Sequence, residues 1–142
     1  ISPIGYPKDK NSVVNTVFRK ASKSDSRKPW EELFFDDAFG TPLTKEAAGE
    51  YAYALDMLRL APSAANLQPW RVVLKDGAFH FYREENPKSK YDFDLQRLDV
   101  GIGACHFDLA AQERSLPGGF RTLDEEPDTG CPAGAKYLFS WC

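Results

Sequence analysis

The residues best suited to chemistry lie together in one short run, Ala61-Pro62-Ser63-Ala64-Ala65-Asn66-Leu67-Gln68-Pro69-Trp70. Ser63, Asn66 and Gln68 each donate and accept hydrogen bonds, and the small residues between them let a ligand approach the backbone. Such a turn suits the polar edge or the phosphate of a cofactor. The same side chains are equally able to satisfy their own backbone and nothing more. No catalytic acid or base stands out elsewhere: Asp36-Asp37 and Glu84-Glu85 are adjacent carboxylates without a partner and read as solvated charge. Gly101-Ile102-Gly103 falls inside a helical pattern and has no glycine at 106, so a dinucleotide-binding turn is excluded. Cys105 and His106 are neighbours that would point about 100° apart on a helix, and could not grip one metal. Cys105, Cys131 and Cys142 fit no disulfide framework and read as reduced thiols. No metal site is expected.

Flanking elements must hold the run in place. Thr44 offers a hydroxyl cap with Glu46 in the first turn, and Ala47, Tyr51, Ala54, Leu55 and Leu58 follow at helical spacing. The spacing predicts a helix to about Arg59, stopped by Pro62. After the run, Trp70–Lys75 and Ala78–Tyr82 flank Asp76-Gly77, a hairpin signature with a type I′ turn. Arg83–Phe93 reads as a surface loop. A second helix is expected from Asp94 to about Arg114; its apolar residues go round most of the circumference, which predicts burial on several sides. Gly101 and Gly103 cost that helix about 1 kcal/mol each relative to alanine, and predict another backbone passing close by. Lys136–Trp141 is expected as a terminal strand after a turn-rich stretch from Asp124 to Gly134.

The order is helix, hairpin, helix, strand, which is α+β. Residues 1–29 are rich in Pro, Lys, Ser and Asn with one apolar cluster at Val13, Val14, Val17 and Phe18, and read as an extended arm or linker; residues 30–142 make the domain. With 142 residues, 42% of them hydrophobic, there is enough chain for one core and not for two. A net charge of −3 without a basic run excludes the electrostatic footprint of a nucleic-acid binder. No apolar stretch approaches the roughly 20 residues of a membrane span, and the amino-terminal residues have no signal layout. The expectation is a soluble, cytoplasmic protein.

The run from Ala61 to Trp70 resembles a segment of the FMN-dependent nitroreductase family, with the pattern A-P-S-[SA]-x-N-x-Q-P-W after a helix and before a strand. Leu98-Asp99-Val100-Gly101-Ile102-Gly103-Ala104-Cys105-His106-Phe107-Asp108-Leu109-Ala110-Ala111 is similar to the family's central helix, where small residues let helices pack at the core of a dimer. The resemblance covers about residues 30–142 and looks closest to the carboxy-terminal half of the branch in which two nitroreductase-like halves are fused. It implies an antiparallel-rich sheet flanked by helices. It also implies an FMN site shared with a complementary amino-terminal half or a second subunit, with Pro62, Ser63, Ala64, Asn66 and Gln68 on the cofactor side. The reaction implied takes electrons from NADH or NADPH through the flavin to a nitroaromatic, quinone or similar acceptor.

One departure concerns the FMN phosphate. The family's Arg-Ser-x-Arg-like run has no counterpart, because Arg19-Lys20-Ala21-Ser22-Lys23 does not reproduce it. Either another polypeptide segment completes the site, or Arg19, Lys20 or Arg27 has taken over the phosphate. The rival reading is a non-catalytic assembly or regulatory module that keeps the fold and its interface helix.

Overall fold

The computed structural model describes residues 16, 17, 20, 21, 23, 26–85 and 94–142. Most of the arm expected over residues 1–29, and residues 86–93 of the expected loop, lie outside the described residues.

After a 3-10 turn at Trp30–Glu32 the chain forms β1 (Phe34–Asp36), α1 (Lys45–Ala48), α2 (Ala52–Leu60), β2 (Trp70–Lys75), β3 (Ala78–Glu84), α3 (Leu95–Glu113), β4 (Phe120–Arg121) and β5 (Ala135–Trp141). The strands make one sheet in the order β1-β2-β3-β5-β4. Only β1 and β2 run parallel; β2–β3, β3–β5 and β4–β5 are antiparallel. The sheet is thus antiparallel-rich and flanked by helices, as the family resemblance implied.

Local chemistry accounts for most boundaries. Thr44 Oγ1 accepts from the Ala47 amide at 3.1 Å, which caps α1. The single helix expected to about Arg59 is split, because Gly49 takes φ 56° and the chain tightens into a 3-10 turn before α2 begins. A positive φ there is open to glycine without steric cost. Pro62 ends α2 by holding Ala61 extended, at ψ 148°. Lys75 pairs with Ala78 across Asp76 and Gly77, whose φ of 50° and 76° give the primed turn that matches strand twist. Asp94 caps α3 by accepting from the Arg97 amide at 3.0 Å.

The sheet has two unlike faces. Phe79 and Phe81 of β3 meet Phe107 of α3 with ring centroids 5.7 and 5.5 Å apart, and Trp141 closes the cluster at 5.3 Å. The alternate residues, His80 and Tyr82, point the other way, where loops cover them. Tyr82 Oη bonds Thr129 Oγ1 at 2.7 Å, His80 Nδ1 bonds Ser140 Oγ at 2.7 Å, and burial pushes the Tyr82 phenol up to about 12. At the end of β5, Gly118 takes φ 127° where an added Cβ would sit 2.3 Å from Trp141 Nε1, so no other residue fits.

The expectation that α3 is buried on several sides is corrected. Val100, Gly103, Ala104, Phe107, Ala110 and Ala111 face the core, but Leu98, Ile102 and Leu109 remain 59%, 41% and 60% exposed. The close approach predicted at the glycines is also different in kind. At Gly103 a Cβ would lie 3.2 Å from the Trp70 ring, a side chain rather than a backbone, and at Gly101 nothing among the described residues lies within 4 Å.

Candidate functional site

The Ala61–Trp70 loop bridges the end of α2 and the start of β2. It is built from three left-handed residues, Ala65 (φ 49°), Asn66 (φ 56°) and Gln68 (φ 49°), none of them glycine. Each such residue costs on the order of 1–3 kcal/mol and persists only where its surroundings over-determine it.

Those surroundings hold the loop from three directions. Within the loop, Ser63 Oγ accepts from the Gln68 amide at 2.9 Å, and Asn66 N donates to Ser63 O at 3.0 Å. From outside, the segment before Trp30 lies across it: Asn66 Nδ2 donates to Lys23 O (2.7 Å) and Ser26 O (3.0 Å), while Lys28 N donates to Gln68 Oε1 (2.7 Å). Asn66 Oδ1 accepts from Arg27 Nη1 at 3.3 Å and from Gln68 Nε2 at 3.1 Å. From beneath, Asp99 of α3 accepts from Ala64 N at 3.0 Å through Oδ1. Arg71 closes the base, donating to Gln68 O at 3.0 Å and pairing with Glu84. Burial lowers the Arg71 pKa, and the nearby carboxylates of Glu84 and Glu32 oppose that shift.

The five residues assigned by resemblance therefore come together but play unlike parts. Pro62 is exposed and Ser63 and Ala64 are half-buried, so they present a small-residue wall. Gln68 is 3% exposed, and both ends of its amide are engaged inside the protein. It braces the loop. Asn66 is half-buried, with its amide engaged by the 23–28 segment. Of the three cations weighed for the phosphate, Arg27 lies at the loop rim, donating to Leu60 O and Asn66 Oδ1; Lys20 is exposed and Arg19 lies outside the described residues.

Asp99 and Arg71 are functional candidates not singled out by sequence reasoning. Asp99 is 3% exposed, its Oδ2 is buried without a partner, and burial pushes its carboxyl pKa up while the Ala64 amide pulls it down. The signal was present as a lone acid among apolar residues of a helix, but its partner lies 35 positions away.

Beside this end of α3 the uncovered helix face runs into a groove of about 500 Å³ lined by Gly101, Ala104, Cys105, Phe120 and Phe139, with Asp108 and Arg121 at its edge. Among the described residues no three metal-ligating side chains cluster, the three cysteines are free thiols, and no helix is long and apolar enough to cross a membrane.

The loop thus joins a helix end to the hairpin, with the glycine-bearing helix α3 beneath it. A family model described as "Putative TM nitroreductase" matches residues 1–111. The chain belongs to this nitroreductase family. A crystal structure of a "putative nitroreductase" from Thermotoga maritima matches with a TM-score of 0.53 at 19% identity, covering 82% of this chain and 41% of that one. The nitroreductase-like α+β fold is therefore shown, and the chain spans less than half the length of that relative. No curated protein matches.

Proposed function

We propose that this nitroreductase chain forms one half of an FMN-dependent oxidoreductase that takes electrons from NADH or NADPH and delivers them to a nitroaromatic, quinone or similar acceptor. The observation that carries the reading is the Pro62–Asn66 wall: small, outward-facing and fixed from three sides, in a chain that belongs to a nitroreductase family. The bound FMN would supply the redox chemistry, accepting a hydride and passing electrons on. The protein's part is positional. Pro62, Ser63 and Ala64 would line the cofactor, the Ser63 hydroxyl hydrogen being available because its oxygen already serves as acceptor to Gln68 N. Asn66 and Gln68 would fix the rim, and Arg27 would place positive charge there for the phosphate.

The second half of the site would come from a second subunit or a complementary amino-terminal half laid on the open face of α3. Leu98, Ile102 and Leu109 form an apolar stripe at helical spacing, and Gly101 leaves room for a close approach. A relative about twice the length of this chain agrees with that division.

A second reading is favoured by one observation: the amides of Asn66 and Gln68 are already taken up by the 23–28 segment, as in a purely structural turn. On that reading the chain is an assembly module. An absorption spectrum after FMN addition and gel filtration separates the two, with the chain alone and with its complementary half. Retained bands near ~370 and ~450 nm, bleached by NADH or NADPH, are expected. Flavin retained in neither arrangement overturns the oxidoreductase reading and leaves the assembly module.

A further inference from the structure

We infer that Asp99 is a positioning residue for the cofactor wall: through Oδ1 it holds the Ala64 amide and locks the left-handed Ala65–Asn66 turn onto the central helix. The inference rests on the flavin reading for its function but on geometry for its mechanism.

The inner side of α3 meets both ends of the loop. Asp99 takes Ala64 at the entry, and one turn later Gly103 lets the Trp70 ring lie against the helix at the exit. The other described tethers of the turn are local or belong to the 23–28 segment. Asp99 is what fixes its height and angle relative to the core. The side chain chosen is an expensive one for that task. A neutral asparagine offers the same carbonyl acceptor, whereas a carboxylate at 3% exposure leaves Oδ2 buried without a partner. The indole Nε1 of Trp70 is likewise buried and unpartnered, so both core contacts of the loop carry unsatisfied polar atoms. Polar groups left in this condition raise the energy of the folded state, and such sites concentrate where a wall must be held in one conformation rather than where stability alone is selected.

Two substitutions separate positioning from bulk stability. Asp99→Ala removes the acceptor; Asp99→Asn keeps an oxygen for Ala64 N–H and removes the charge. Three readouts on the whole protein decide the matter: amide hydrogen exchange of Ala64 without flavin, FMN affinity by fluorescence quenching, and the urea midpoint. For Asp99→Ala, exchange at Ala64 should quicken about tenfold and FMN should bind about tenfold more weakly, while the midpoint changes little, because loss of the buried unpaired carboxylate oxygen offsets the Ala64 N–H left without its acceptor. Asp99→Asn should restore both exchange protection and FMN affinity to near wild type.

Unchanged exchange at Ala64 in Asp99→Ala overturns the inference. So does a loss of FMN that tracks a falling urea midpoint and is not rescued by Asp99→Asn. If the wild-type protein binds FMN and Asp99→Ala binds it equally, the positioning role falls and the flavin reading stands. If the wild-type protein takes up no FMN in any assembly, the flavin reading falls, and with it the cofactor role of Asp99; the exchange measurement still decides whether it locks the turn.

Discussion

The two sides of α3 make the most informative contrast in the molecule. Inward, Phe107 is fully buried among Phe79, Phe81 and Trp141, Gly103 receives the Trp70 ring, and Asp99 holds the loop. Outward, one helical stripe of Leu98, Ile102 and Leu109 stands exposed among the described residues, beside a groove between the helix and β4. Along one helix the inner side is packed, and the outer side leaves large apolar side chains exposed. Exposed apolar faces are the kind of surface used for protein contacts, and the second half proposed above would lie here.

The contrast can be broken at its strong end first. Phe107→Ala should cost about 3–5 kcal/mol in urea unfolding, since it empties the centre of the aromatic cluster. A loss below that of an ordinary surface change would mean the cluster is not the core. Gly103→Val should cost about 1–3 kcal/mol, because the Trp70 ring already stands 3.2 Å from where a Cβ would be. Its neighbour two residues back should answer with the opposite sign. Gly101→Ala meets open space, so it should stabilise the isolated chain by about 1 kcal/mol. In the same variant, sedimentation should show weaker association with the second half, where the added methyl intrudes; unchanged association would show that the partner does not come close at Gly101.

A smaller effect concerns pH. Burial raises the Asp99 carboxyl above its ordinary 3.8, so the folded state binds a proton that the unfolded chain has already lost. The cost of ionising Asp99 is absent below that ordinary value and grows as pH rises toward the folded value, above which it is constant. Urea midpoints taken from pH 3.5 upward should therefore show Asp99→Asn gaining on wild type; parallel curves would mean the carboxyl is not strained. The smallest effect is Leu109→Ala, expected within about 0.5 kcal/mol of wild type for the isolated chain, a direct foil to Phe107→Ala.

What the amino-acid sequence revealed was whatever is decided locally. Asp76-Gly77 specifies its own turn, Pro62 stops α2 by steric action on Ala61, and Asp94 caps α3 three residues ahead. The Ala61–Trp70 run was legible for the same reason, since its small and amide-bearing residues are contiguous. What stayed hidden depends on distant partners. β1 is three residues long and exists by pairing Phe34 with Val72; β4 is two residues paired with Ser140 and Trp141. Asn66 looked free to bind a ligand because Lys23 and Ser26 lie about 40 positions earlier, and Asp99 looked like one more helical acid. Gly49 falls inside the run expected as one helix to about Arg59, though its positive φ breaks that helix. The stripe on α3 was rightly seen as apolar, but the burial on several sides expected of that helix is not found among the described residues.

The position of β3 has a consequence for how the protein is made. On one side it closes onto β2 across a two-residue turn, an event of about 1–10 μs. On the other it must wait for β5, with His80 and Ser140 separated by 60 positions. While a ribosome is still adding those residues, β3 is a bare, aromatic strand edge, the kind of surface that templates pairing between nascent chains. Slow translation between Glu84 and Ala135 should therefore lower the soluble yield of this protein in cells, and co-expressed holdase chaperones should recover it.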